Sequence, residues 1–456
     1  MVEAAKRLLQ CNSASSNAFT ITILLMQSPI DDAISCITDS YFQSINSLNL
    51  PIHFMPLPPV EPPSCFDGPE DFITIYTQLH LPHVRDAVAQ STSKVVALVL
   101  DIFATSFIDL GNELEIPSYI FHAPNAAALA LMLHLPILDG KIKQEFGEID
   151  GVVNIPGISS IPSHVMPPSL MNKKSAAYIC NLNHGRQYAK AKGIIVNTCL
   201  ALEPKAIETV AKGWCSPMKP APKIYPIGPI VSVDRTVYKE YECVKWLDLQ
   251  PPKSVVFLCF GSGGSFELPQ VQEMAIGLER SGHRFLWAIR AIYTGISFPT
   301  DENLNELLPV GFTERTKDKG LVLPRWIPQT EILAHPAVTA FVTHCGWNSC
   351  LESLWFGVPM ITWPLYGEQS LNAFVMVKEM GVALELKLGM KHNRFVAADE
   401  LEQAIRCLIE GSDEGMRVRE KAEEVKNEFR KTIEKGGASY TFMQRFWDEI
   451  GHSKIQ

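Results

Sequence analysis

Short apolar runs alternate with stretches of helical periodicity along almost the whole chain, and this alternation constrains the fold more than any other feature. Residues 19–26 (FTITILLM), 95–100 (VVALVL), 118–121 and 193–197 (GIIVN) have the length and branching of strands. Helical patterns at 72–89 and 125–135 lie between them. Strands separated by helices imply parallel pairing, in a sheet covered on both faces. A second alternation begins with 254–260 (SVVFLCF), a glycine-rich turn, and a helix over 269–280. That helix carries Val271, Met274, Ala275 and Leu278 on one face, with Gly282 just past its end. Further strands are expected at 285–289, 321–323, 339–342 and 359–362.

Between the two alternations, residues 220–229 (PAPKIYPIGP) are rich in proline, and a polar run over 231–242 follows. At 456 residues the chain exceeds what one core usually serves, so we expect two α/β domains, each doubly wound, with a cleft between them. The expected division is a first domain over 1–230, a linker over 231–245 and a second domain over 246–435. A final helix over 436–456 is set off by Gly436 and Gly437.

Composition narrows the function. Apolar residues at 46% and charged residues at 20% describe a globular chain, not a disordered one. The net charge of −9 has no basic block against it, which disfavours nucleic acid as a partner. Eleven scattered cysteines without a C-x-x-C pair suggest free thiols in a reducing compartment, not a disulfide framework or a zinc site. The richest apolar stretch, 95–110, is interrupted by Asp101 and Asp109, so no membrane span is expected. The N-terminus lacks the pattern of a secretory leader, and a cytoplasmic location is the expectation.

The most informative segment is WIPQTEILAHPAVTAFVTHCGWNSCLESLWFGVPMITWPLYGEQ, from Trp326 to Gln369. Its centre runs from a strand into THCGWNS and then into a helix ending at Gly357. Gly346, Trp347, Asn348 and Ser349 therefore sit at a strand-to-helix turn, where backbone N–H groups and the helix dipole favour an anion. His344 adds a donor for a phosphate oxygen. Glu352 lies one turn beyond Asn348 on the same face and can accept from both hydroxyls of a ribose. The Trp326 indole suits a flat base. Glu368 and Gln369 offer an acceptor and an amide to sugar hydroxyls. Each residue alone has a bland alternative in core or surface, and His335 in LAHP is expected to be structural. The recurrence of all of them at fixed spacing is what points to a nucleotide-sugar. GSGGSF could instead suggest a dinucleotide fingerprint, but Phe266 stands where its third glycine belongs.

This segment closely resembles the C-terminal signature of plant family-1 UDP-glycosyltransferases, most of all the subgroup acting on flavonoids, other phenolics and terpenoids. Similarity continues through SVVFLCFGSGGSF, LERSGHRFLWAIR, LNAFVMVKEMGVALE, LVLDIFATSFIDLGNELEIPSYIF and KGIIVNT. The resemblance implies a GT-B fold of two Rossmann-like domains, with a C-terminal helix returning to the first. It implies that Trp326 stacks on uracil, that the Ile327 backbone bonds its edge, and that Gln329 and Glu352 hold the ribose. Ser262, His344, Asn348 and Ser349, with Gly346, would bind the diphosphate. Trp347, Tyr366, Glu368 and Gln369 belong to the sugar-binding set, with Gln369 associated with glucose donors. Metal and cofactor are not expected; the partners are a UDP-sugar and a small lipophilic acceptor, and the chain is expected to be a monomer. Residues 117–136 and 158–178 would build the acceptor pocket.

In the family a histidine takes the acceptor's proton and an aspartate charges that imidazole, giving inversion at the anomeric carbon. Asp101, ending the strand in LVLDIF, matches the aspartate; its rival role is a cap for the next turn. The histidine belongs on a glycine-containing loop between the first strand and the first helix. This chain opens with MVEAAKRLLQ, which matches the body of that helix. The resemblance thus implies an N-terminal domain lacking its first strand, and a catalytically impaired UDP-sugar-binding paralogue, or an incomplete gene model, as the alternative to an active transferase. His122 is a weak candidate to substitute.

Overall fold

The alternation folds into parallel sheets in a computed structural model that describes residues 1–11, 19–27, 42, 45, 47–232, 241–289, 299–387 and 395–452. Residues 233–240 of the expected linker, and 453–456 of the last segment, lie outside the described residues. The chain divides into two units, Met1–Ile230 with Thr432–Gln456, and Val231–Lys431.

The first unit holds strands β1 (Ile21–Leu25), β2 (Ile52–Pro56), β3 (Leu98–Asp101) and β4 (Ser118–His122). A short antiparallel ladder, β5 (Val152–Val153) with β6 (Ile161–Pro162), precedes β7 (Gly193–Val196) and β8 (Lys223–Pro226). The parallel strands form two groups, β1–β2 and β3–β4–β7–β8. Among the described residues no strand pairs with the remaining edges of β1 and β3. Burial differs along these strands: β4 is buried at every position, β1 is fully buried at none, and Val99 of β3 is 43% exposed.

Two strands of this unit are not evident in the sequence. The proline-rich run at 220–229 contains one of them, β8, because β8 is an edge strand and an edge tolerates missing N–H donors. β2 was not foreseen at all. The helix Ala126–Lys141 starts as expected at Asn125, whose side chain accepts from Ala128 N at 2.7 Å. Glu203 completes that cap, accepting from Ala126 N at 2.9 Å, Ala127 N at 3.0 Å and the Thr198 hydroxyl at 2.6 Å. The C-terminal helix Ala438–His452 packs Met443, Phe446, Trp447 and Ile450 against Phe19, Tyr119, Phe121, Ile195 and Tyr225. Glu449 anchors it, accepting from Tyr119 (3.0 Å), Tyr225 (2.6 Å) and Lys223 (2.5 Å).

The second unit carries one six-stranded parallel sheet: β9 (Val255–Cys259), β10 (Arg284–Ala288), β11 (Gly320–Leu323), β12 (Val338–Thr343), β13 (Met360–Thr362) and β14 (Ala383–Glu385). The spatial order is β11–β10–β9–β12–β13–β14. The chain starts in the middle, winds out to β11, returns to β12 beside β9, and winds out the other way. Its direction therefore reverses between β9 and β12, and ligands of doubly wound sheets bind beyond the carboxyl ends of the strands at that point. The helix Leu268–Ser281 buries Val271, Met274, Ala275 and Leu278 and ends on Gly282 at φ 70°, as its pattern requires. Three-residue β14 was not foreseen.

Candidate active site

Two turns flank the reversal point of the second unit, one after β9 and one after β12. His344 leaves β12 and lays its imidazole between them. A Cβ on Gly261 would stand 2.7 Å from His344 Nε2, and one on Gly346 would stand 2.4 Å from it. Any side chain at either position would displace the ring, so both glycines are fixed by close approach; Gly261 also has φ 72°. The ring is 6% exposed, and Nδ1 has no hydrogen-bond partner among the described residues. Burial pushes its pKa down to about 4. His344 is thus a neutral imidazole at ordinary pH, able to donate one N–H but carrying no charge.

The next residue, Cys345, holds φ 63°, a left-handed conformation that costs a non-glycine residue about 1–3 kcal/mol. The surroundings impose it: Asn372 Nδ2 donates to the Cys345 carbonyl at 2.9 Å and also to Glu368 Oε1 at 3.2 Å. Asn372 was missed in the sequence. Its signal is the four-residue spacing from Glu368, which begins the helix Gln369–Phe374. The helix Trp347–Phe356 then starts at Gly346 with no side-chain cap. The positive end of that helix faces the same turn as His344, and together they suit an anion.

One face of this helix builds the neighbouring subsite. Gln329 Nε2 donates to Ser349 Oγ at 2.9 Å and to Glu352 Oε2 at 2.6 Å. Burial raises the Glu352 carboxyl to about 7, with the Gln329 hydrogen bond opposing that rise. Trp326 stands on the loop after β11, 40% exposed, with its ring 6.0 Å from that of Tyr241. Ile327 is buried. At the other end, Gln369 Oε1 accepts from Leu365 N (2.8 Å) and Tyr366 N (3.0 Å). Those bonds fix the amide's orientation and leave its NH2 end to serve a ligand. Tyr366 is half-exposed, with its ring 6.4 Å from His344. Ser262 and Asn348 are exposed, whereas the Trp347 indole is buried, so a ligand contact at Trp347 falls to its main chain. His335 is structural as expected, accepting from Ala337 N at Nδ1 (3.1 Å) with Nε2 3.1 Å from Asp248.

In the first unit Asp101 ends β3, and its Oδ1 accepts from Phe103 N at 3.1 Å. It does cap the following turn, and burial raises its pKa in spite of that bond. Among the described residues no histidine hydrogen-bonds Asp101. His122 does not substitute. It follows Phe121, the residue in register with Asp101, so its side chain leaves the opposite face of the sheet. Burial also pushes its pKa down to about 3, too low for a base. Of the two stretches expected to line an acceptor pocket, 117–136 is largely core: Tyr119, Ile120, Leu129, Ala130 and Leu135 are all buried. No group of His, Cys, Asp and Glu able to hold a metal ion occurs among the described residues. No helix there is long and apolar enough to cross a membrane.

Residues 215–418 match the model of the family described as UDP-glucoronosyl and UDP-glucosyl transferase. The chain is 45% identical over 457 residues to malvidin galactosylase of Oryza sativa subsp. japonica, covering 99% of this chain and 94% of that one. It is 41% identical over 474 residues to flavonol 3-O-glucosyltransferase of Arabidopsis thaliana, covering 98% and 94%. Among solved structures, Medicago truncatula UGT71G1 complexed with UDP-glucose superposes with a TM-score of 0.83 at 36% identity, covering 98% of this chain and 95% of that one. With a doubly wound sheet whose reversal point carries this cradle, and with relatives matched along nearly its whole length, the chain belongs to the plant family-1 UDP-glycosyltransferases and has their GT-B fold.

Proposed function

We propose that the protein transfers a hexose from a UDP-sugar to a hydroxyl of a small phenolic acceptor, with inversion at the anomeric carbon. The observation that carries this is the Gln329–Ser349–Glu352 group beside the uncapped helix start. It combines a carboxylate acceptor for a vicinal diol with a neighbouring anion site, and a nucleoside diphosphate demands both at that spacing. In this reading Trp326 and the Ile327 main chain receive uracil, and Gln329 and Glu352 receive the ribose. Ser262, His344, Gly346, Asn348 and Ser349 receive the diphosphate. Tyr366, Glu368, Gln369 and the Trp347 main chain receive the hexose. Asp101 is the acidic member of the catalytic pair.

Relatives named for malvidin and flavonol support a phenolic acceptor. They differ over the sugar, one being a galactosylase and the other a glucosyltransferase. Gln369 favours glucose in our reading. The test is a turnover assay with UDP-glucose and UDP-galactose against a panel of flavonoids, with the product anomer read by NMR. Retention of configuration, or no preference for UDP-glucose, would count against the corresponding part. A second reading has one observation behind it: no described histidine meets Asp101. A protein that binds UDP calorimetrically but turns over none of the panel would be a nucleotide-sugar binder instead.

A further inference from the structure

The turn after Asp101 closes on itself twice: Ala104 N donates to the Asp101 carbonyl at 2.9 Å, and Phe103 N donates to the Asp101 carboxylate. Neither bond ties the turn to another element. The helix Ala176–Tyr188 supplies that tie from two positions one helical turn apart. His184 Nδ1 lies 2.7 Å from Thr105 Oγ1, and the Phe103 ring meets the imidazole nearly at right angles, 5.7 Å away. Tyr188 donates its hydroxyl to the Ile102 carbonyl at 3.5 Å. Burial, and then the charge of Asp101, keep that phenol protonated. The helix is itself seated closely on the helix Ala126–Lys141, since a Cβ on Gly185 would collide with the Met132 carbonyl oxygen.

The direction of the His184 bonds follows from Thr74, on the helix Pro69–Leu79, whose Oγ1 is 3.0 Å from His184 Nε2. The Thr74 hydroxyl commits its one proton to the Glu70 carbonyl at 2.7 Å. It must therefore accept from His184, which puts the imidazole proton on Nε2 and leaves Nδ1 to accept from Thr105. Burial pushes the His184 pKa down to about 4, so the ring is neutral and keeps one donor and one acceptor. A directed chain thus runs from Thr105 through His184 and Thr74 to the Glu70 carbonyl, with its imidazole 5% exposed.

We propose that His184 is a positioning residue for the transfer reaction: it ties the turn after Asp101 to the helix Pro69–Leu79 and so fixes where the Asp101 carboxylate stands. This rests on the reading of Asp101 above. A carboxylate that must charge and orient a base tolerates little misplacement, since a shift of about 1 Å can cost about a hundredfold in rate.

Steady-state kinetics of the full chain with UDP-glucose and a flavonoid acceptor, beside UDP titrations and thermal melts, test the assignment. Thr105→Val keeps the shape and removes the hydroxyl. It should lower kcat about tenfold and leave KM for UDP-glucose and the UDP Kd within about twofold. Thr105→Ser returns a hydroxyl and should bring kcat back to within about twofold of the unsubstituted protein. Thr74→Val cuts the chain at its other end and should act in the same direction, which keeps the test open should Thr105→Val not fold. In an Asp101→Asn background, Thr105→Val should change the residual rate less than about twofold, because its effect is exerted through the carboxylate. A lower thermal midpoint with kcat intact in both valine variants would mark a merely structural contact and overturn the proposal. So would a Thr105→Ser variant as slow as Thr105→Val, or a loss as large without the Asp101 carboxylate as with it. If Asp101→Asn leaves kcat unchanged, or the unsubstituted protein turns over no acceptor, the reading of Asp101 itself falls and takes this proposal with it.

Discussion

Glu352 can serve a ribose only when ionised, because both hydroxyls of the diol donate to it. Burial sets that ionisation at about 7, inside the working range of an enzyme assay. UDP binding should therefore release a proton near and below neutrality and tighten as pH rises from about 6 to about 8. The sign for stability is opposite. The unfolded carboxyl ionises near its ordinary value of 4.5 while the folded one resists, so the ligand-free protein should lose stability from about 4.5 to about 7 and level off above. Glu352→Gln should flatten both profiles, measured by calorimetry for UDP and by thermal melts for the free protein. His344 adds no step in that range, since burial holds its pKa at about 4. A UDP profile that keeps its slope in Glu352→Gln would assign the proton elsewhere.

The turn after β12 depends on a side chain from another helix. Asn372 is fully buried, and its Nδ2 donates to the carbonyl of the strained Cys345 and to Glu368. Asn372→Ala leaves the Cys345 carbonyl without that donor, a loss of about 1–3 kcal/mol. We expect a lower thermal midpoint together with weaker UDP binding; a lower midpoint with unchanged UDP affinity would mean that the turn holds its shape unaided. How far such parts are legible in sequence depends on the range of the interaction that makes them. β9 is a continuous apolar run and β12 a mostly apolar, β-branched one, so their place is evident in the chain itself. The helix Leu268–Ser281 shows its face by periodicity and its end by Gly282. β8 is hidden by the prolines around it, β14 by its brevity, and Asn372 by the fact that an asparagine in a helix is usually a surface residue. The Gln329–Glu352 contact links residues too far apart for any periodicity to show; the spacing within the Trp326–Gln369 segment carried it, through resemblance. His344's neutrality is illegible too, because it follows from how tightly two glycines let the backbone close on the ring.

At the level of the whole molecule, the two units differ in how completely their sheets are joined. The second has six strands in one sheet, with its core around Phe257, Phe285, Trp287 and Phe341 fully buried. The hydrogen bonds that Glu449 accepts from Tyr119, Lys223 and Tyr225 all lie within the first unit. The parallel strands of the first unit fall into two groups, so β1, β2, β3 and β8 each have one edge unmatched by a strand among the described residues, against β11 and β14 in the second. Such edges template pairing with other chains. The consequence is a matter of reaction order. A chain that fails by unfolding alone decays with a half-life independent of its concentration, whereas one that fails when edges meet decays faster the more of it there is. For this protein we expect loss of UDP binding on storage to accelerate as the solution is concentrated, with aggregates rich in β-structure. A half-life that does not change on dilution would show that these edges never find each other.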